Sequence, residues 1–205
     1  MIIAVDGPAA SGKGTLARRL ASHFGLHYLD TGSLYRAVAL GVLKKGANPA
    51  DLAAAEAVAA ALSPPDRDDP DLRSEAVSQA ASVVAAFPAV RQHVLEYQRK
   101  FASTPPGAVL DGRDIGTVVC PDAEVKLFVT ASAQVRALRR AKERTNAGEN
   151  ADFDAILSDI KARDARDMNR AVAPLKPAPD ARLLDTSDLD IEAAFQAALR
   201  LIEGS

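Results

Sequence analysis

Residues Ile2-Ile3-Ala4-Val5-Asp6-Gly7-Pro8-Ala9-Ala10-Ser11-Gly12-Lys13-Gly14-Thr15 change character twice within one short span. Ile2 to Val5 is a continuous apolar run ended by Asp-Gly-Pro, the pattern of a buried strand in a parallel sheet. From Lys13 to Phe24 the pattern becomes helical, with Leu16, Leu20 and Phe24 four apart on one face. Between them lie the glycines. They let the backbone curl until successive N–H groups converge on phosphate oxygens, where a Cβ would obstruct. The following helix points its positive end at the same anion, and Lys13 is a compact cation able to reach outer phosphates. Strand, loop and helix in this register predict a nucleoside-triphosphate site at Gly7, Pro8, Ala9, Ala10, Ser11, Gly12, Lys13, Gly14 and Thr15.

Working outward, Tyr28-Leu29, Ala108-Val109-Leu110, Val125 to Val129 and Arg182-Leu183-Leu184 read as further short strands. Helical patterns separate them: about Leu34 to Leu43, two helices flanking Pro88 from about Arg73 to about Phe101, Ala133 to Thr145, about Phe153 to Ala171, and Ile191 to Ile202. Ser63 to Pro70 is a polar, Pro-rich turn or linker. Strands alternating with helices predict one three-layer α/β domain over 1–205, its parallel sheet of about five strands flanked by helices.

The 205 residues are 48% hydrophobic and 25% charged, which excludes disordered and fibrous classes. That length buries roughly 70% of its unfolded surface, enough for a core without staples. With aromatics at only 4% and no Trp, the core must be filled by Ala, Leu and Val. Lys and Arg total 25 against 27 Asp and Glu, a net charge of −2 that argues against nucleic acid as a partner. The single Cys120 allows no internal disulfide and suits a reducing, cytoplasmic setting. The opening apolar run is too short for a signal h-region or a membrane span.

Two more polar turns follow strands. Asp30-Thr31-Gly32-Ser33-Leu34-Tyr35-Arg36 comes after the second and Asp111-Gly112-Arg113-Asp114-Ile115-Gly116-Thr117 after the third. Ligands of open parallel sheets bind at the carboxyl ends of strands, so these turns and the phosphate loop converge on one edge. The residue after Lys13 is Gly14, and the hydroxyl comes one later at Thr15, so the usual Mg²⁺-ligating Ser/Thr position is empty. That Gly-Lys-Gly-Thr variant resembles the loop of nucleoside-monophosphate kinases, and Mg²⁺ is then expected on phosphates and waters, without a dedicated set of protein ligands.

Over essentially its whole length the chain resembles the bacterial cytidylate kinases. The matching stretches are Gly7 to Thr15, Asp30 to Arg36, Ala81 to Arg91, Asp111 to Ala123 and Arg163 to Pro174. The resemblance implies a P-loop kinase that passes the γ-phosphoryl of ATP, with Mg²⁺, to CMP or dCMP. It implies that Arg36, Arg113 and Arg170 hold the acceptor phosphate, that Ser82, Arg91 and Asp114 contact the cytosine, and that Arg163 and Asp167 contact the ribose. Thr31 stands where the family more often has Ser, and Tyr35 packs alongside the acceptor. Lys13, Arg113, Arg140 and Arg163 are the expected catalytic residues. A helical acceptor-binding region is expected over about 31–103 and a short lid over about 145–153. The family's longer, strand-containing insert is replaced here by the linker between Leu62 and Arg73.

The chemistry of the residues agrees. Guanidinium forks match phosphate, and a carboxylate accepts from the cytosine N4 amine but faces an acceptor, O4, in uracil. Arg136, Arg139, Arg140 and Arg144 read as one basic helix face and Arg163, Arg166 and Arg170 as another; each is also the pattern of a solvated stripe paired with Asp159, Asp164 and Asp167. Closing the turn Asn146–Asn150 would carry arginines to the phosphoryl group and exclude water. His23, His27 and His93 lie outside the motifs. A monomer acting on CMP, dCMP and ATP is the expectation. The alternatives are another small kinase with a UMP or shikimate-type acceptor, or a nucleotide-gated binding protein, against which stands the missing Asn-Lys-x-Asp guanine motif.

Overall fold

Alternation along β1 (Ile2–Asp6) organises the molecule. Successive side chains of a strand point to opposite faces, so Ile3 and Val5 enter one core while Ala4 enters the other, and all three are fully buried. The computed structural model describes residues 1–62 and 69–204. Among these, five strands form one parallel sheet in the order β2-β3-β1-β4-β5, with β2 at His27–Asp30, β3 at Ala108–Gly112, β4 at Val125–Thr130 and β5 at Arg182–Asp185. β1 is central, in register with β3 from Ile2↔Ala108 to Asp6↔Gly112 and with β4 from Ile3↔Val125 to Asp6↔Phe128.

Helices α1 (Lys13–Phe24) and α8 (Ile191–Glu203) cover the Ile3/Val5 face, bringing Leu16, Leu20, Phe195 and Leu199 against Val109, Leu127 and Leu184. The Ala4 face is covered by α2 (Thr31–Lys44), α4 (Glu75–Val84) and α5 (Pro88–Ala102), with α3 (Leu52–Ala60) outside them. The core is aliphatic, as the composition requires, and Cys120 is one of its small buried members. A third, small cluster of Ala137, Ile156 and Ile160 joins α6 (Ala133–Asn146) to α7 (Phe153–Asn169), an antiparallel pair connected through 147–152.

Several expectations are refined. The sequence reading had no element between Gly46 and Leu62; α3 lies there, capped by the Asp51 side chain on the amides of Ala53 and Ala54. α2 begins at Thr31 because Asp30 caps it through Ser33 N, three residues ahead of the expected start. α7 stops at Asn169, so Arg170 is its C-cap and does not extend the face of Arg163 and Arg166. The Pro-rich linker falls outside the described residues from Ser63 to Asp68; Pro70–Arg73 forms a short 3₁₀ turn. No described helix is long and apolar enough to cross a membrane.

Candidate active site

The loop after β1 closes tightly on its neighbours. A Cβ at Gly7 would stand 2.0 Å from the Val129 carbonyl oxygen, and Gly12 takes φ 85° as the N-cap of α1. Ala10 also sits at positive φ (59°), a strained position for a residue with a Cβ. Among the described residues no side chain caps α1 and its first turn carries no acid, so its leading amides are left for an anion. The loop is braced from behind. Arg136 bonds the Ala9 carbonyl at 3.2 Å, and Arg139 and the Thr186 hydroxyl both donate to the Ser11 carbonyl, at 3.4 and 3.1 Å.

Ala9 to Thr15 line an open cleft of about 930 Å³, at the upper end of the range for small-molecule sites. Gly7 and Pro8 do not line it; they carry the chain into the loop. Lys13 stands on the cleft wall with Nζ 3.8 Å from Asp111 Oδ2, whose Oδ1 accepts a 2.8 Å bond from the Tyr28 hydroxyl. Burial, helped by nearby Arg113, lowers the Lys13 ammonium to about 8, against the pull of Asp111 and Asp30. Burial also works against the charge of Asp30, yet the Arg36 guanidinium at 2.5 Å, with Lys13 and the Ser33 amide, holds its carboxyl below the usual range.

A narrower chamber of about 100 Å³ adjoins the cleft. Thr31, Tyr35, Arg36, Ser82, Arg91, Arg113, Asp114, Arg163, Asp167 and Arg170 all line it, so the structure brings together every expected acceptor residue. Lys13, Arg36, Ser82, Arg113 and Arg163 border both spaces. Most of these side chains already hold a partner. Thr31 Oγ1 donates to the Asp111 carbonyl at 2.7 Å, fastening the start of α2 to the end of β3. Arg113 Nε bonds Asp167 Oδ2 at 3.0 Å, and Ser82 Oγ accepts from Arg166 at 2.7 Å. Asp114 pairs with Arg91, which lies over the Tyr35 ring at 5.7 Å, and with Arg170 at 3.5 Å.

Arg163 differs. Its Nε has no hydrogen-bond partner among the described residues, as does Arg36 Nε. Burial pushes its guanidinium down to about 10, and the like charges of Arg113, Arg36 and Arg140 add to that, only partly offset by Asp167. Buried cations that crowd one another in a cleft form a trap for a polyanion.

The basic faces divide by duty. Arg136 is buried and grips Asp164 with both nitrogens, at 3.0 and 2.6 Å, tying α6 to α7. Arg139 is spent on Thr186 and the phosphate loop. Only Arg140 and Arg144 of that face line the cleft, Arg140 3.2 Å from Glu75 across it on α4. Asp164 and Asp167 therefore pair with partners on other segments rather than with neighbours on their own helix, as a solvated stripe would. His27 bonds the Pro105 carbonyl and His23 packs on Phe24 and Phe195, away from both spaces. The sequence assigns no site role to Tyr28, Thr186 or Asp111, and it marks Arg166 only as part of a basic face, without its bond to Ser82. Two of them had a signal, since Asp111 and Tyr28 end or sit in strands whose carboxyl ends were already marked.

Comparison with known proteins agrees. The chain resembles, for fold alone, a crystal structure of an uncharacterised protein from Eubacterium ventriosum (TM-score 0.57, 16% identity, covering 100% of this chain and 99% of that one). It also resembles a gluconokinase from Sinorhizobium meliloti (TM-score 0.50, 15% identity, 98% and 93%). A cytidylate kinase of Rhodopseudomonas palustris strain BisA53 is 62% identical over 203 residues, 99% of this chain and 96% of that protein. One from Methylocella silvestris is 59% identical over 205 residues, 100% and 95%. The family model described as cytidylate kinase matches residues 3–204. That match spans the whole sheet, the loop after β1 and the chamber beside it, and the chain belongs to the cytidylate kinase family.

Proposed function

We propose that the chain transfers the γ-phosphoryl group of ATP to CMP, and to dCMP, giving ADP and CDP or dCDP in pyrimidine nucleotide metabolism. One observation carries this: acceptor residues from separate stretches of the sequence line a single chamber that opens beside Lys13 and the phosphate loop. The ATP triphosphate lies along the loop amides with Lys13 at its outer phosphates. Arg36 and Arg113 hold the acceptor phosphate, and Arg170 joins them on letting go of Asp114. Arg91, Ser82 and Asp114 meet the cytosine, Arg163 and Asp167 the ribose, with Tyr35 beside the acceptor and Thr31 at its edge. A phosphate oxygen of CMP bonds to the γ-phosphorus as the bond to the β–γ bridging oxygen breaks, and ADP leaves with that electron pair. A phosphate dianion needs no general base, so charge neutralisation by Lys13, Arg140 and Arg163 is the main catalytic demand.

Mg²⁺ would enter as a companion of the triphosphate, held largely by phosphates and waters. Asp111 and Asp30, beside Lys13 on the cleft wall, are the carboxylates that could orient its waters. When bound, Mg²⁺ would supply positive charge to the triphosphate beside these carboxylates. The helices of about 31–103 form the acceptor side and the turn at about 145–153 a short lid, whose closure brings Arg140 and Arg144 over the phosphates. The same reading has the chain acting as a cytoplasmic monomer on free nucleotides. An ATP-consumption assay offering CMP, dCMP, UMP, AMP and shikimate tests the reading. CMP and dCMP should be turned over well above the others; preferred phosphorylation of another acceptor would replace it.

A further inference from the structure

Asp6 ends β1, one residue before the phosphate loop, and is almost fully buried. Its two carboxylate oxygens take separate bonds: Oδ1 accepts from Ile115 N at 2.8 Å and Oδ2 from Gly116 N at 2.8 Å. Those amides open the five-residue π-helical turn Ile115–Val119, whose N-cap is Asp114, and among the described residues Asp114 gives that turn no side-chain cap. The cap comes instead from a strand more than a hundred residues away. We infer that Asp6 is a positioning residue for acceptor recognition, fixing Arg113 and Asp114 against the end of β1 and hence against the phosphate loop. This rests on the reading of the chain as a CMP kinase.

A carboxylate with one oxygen on each of two amides has no equally short substitute, because Asn would turn an NH₂ toward one of the N–H groups. Burial raises the Asp6 carboxyl to about 7 in spite of both bonds, so folding is made harder to keep an anion there. An apolar residue would fill the same space in the centre of the sheet without that cost. What the anion supplies is a fixed origin for the turn. Arg113 leaves it toward Asp167 and Asp114 toward Arg91 and Arg170, the groups that wall the inner chamber. Asp6 touches neither space itself, so its effect must pass through the turn.

The test is steady-state kinetics of wild type, Asp6→Asn and Asp6→Ala. The second variant takes away both acceptors of the Ile115 and Gly116 amides, where the first keeps one. Asp6→Asn should raise the KM for CMP by about tenfold, the loss of one charged hydrogen bond, and Asp6→Ala by at least as much, while the KM for ATP stays within about twofold. Selectivity for CMP over UMP should fall in both. A CMP KM equal to wild type in either folded variant, or equal rises for CMP and ATP, would overturn the inference. The wild-type arm separates the two claims, since a wild-type chain that leaves CMP unphosphorylated contradicts the kinase reading itself.

Discussion

Arg91 and Asp114 form a buried ion pair on the wall of the inner chamber, and Arg170 shares the same carboxylate from 3.5 Å. The residue expected to read the cytosine amine is thus already neutralised in the ligand-free chain. A chamber of about 100 Å³ is too small for a nucleotide, so under the proposed function the base would have to take over part of this network. Asp114→Asn should lower CMP-over-UMP selectivity by roughly 10- to 100-fold, the worth of one well-placed base contact, measured as the ratio of kcat/KM values. It also leaves two buried guanidiniums short of a counter-charge, at a stability cost on the order of 3 kcal/mol by denaturant unfolding. Unchanged selectivity would place base reading elsewhere.

Lys13→Ala removes the ammonium at the mouth of the loop and should cut kcat by about a thousandfold or more, because that charge matters most as the phosphoryl group transfers. Single-turnover measurement with CMP and ATP checks it, and near-native turnover would show that the loop is not where the triphosphate reacts.

Arg163 is held among like charges, and its Nε has no hydrogen-bond partner among the described residues. Arg163→Met should therefore raise the stability of the ligand-free protein, by about 1 kcal/mol, while lowering kcat/KM for CMP by 100-fold or more. Thermal unfolding beside kinetics reads both. A variant that loses stability and keeps activity would contradict an anion trap.

Asp6 makes the stability of the chain depend on pH. Its carboxyl is raised from 3.8 to about 7, so between those values the folded chain binds more protons than the unfolded one. Stability from this group is full at acid pH, falls as pH rises through that window, and is constant above it. Denaturant unfolding at several pH values should show wild type losing on the order of 2–4 kcal/mol relative to Asp6→Asn from about pH 4 to about pH 7. Parallel curves for the two proteins would mean that Asp6 is not held in a desolvated site.

Much of this was readable from local pattern, and the rest was hidden for physical reasons. Ile2 to Val5 and Lys13 to Phe24 announce themselves by period, and the structure returns both helix bounds as read. Leu52–Ala60 escaped because LAAAEAVAA is apolar nearly all round and has no stripe to find; its only cue was Asp51 as a cap. The acceptor residues came from the resemblance, and the structure adds their pairing. Periodicity placed Arg136 and Arg140 on one face of α6, but could not show that Arg136 spends itself on Asp164, a helix away, while Arg140 borders the cleft. Asp6 looked like a turn marker before Gly-Pro, and its partners lie across the sheet, beyond any local window.

The most direct test is a crystal of the protein with CMP and a non-hydrolysable ATP analogue bound together. The account predicts the analogue's phosphates on the amides of Ala9 to Thr15 and the CMP phosphate between Arg36 and Arg113, with the cytosine amine on Asp114. CMP bound outside the chamber, or with its phosphate turned away from Lys13, contradicts it.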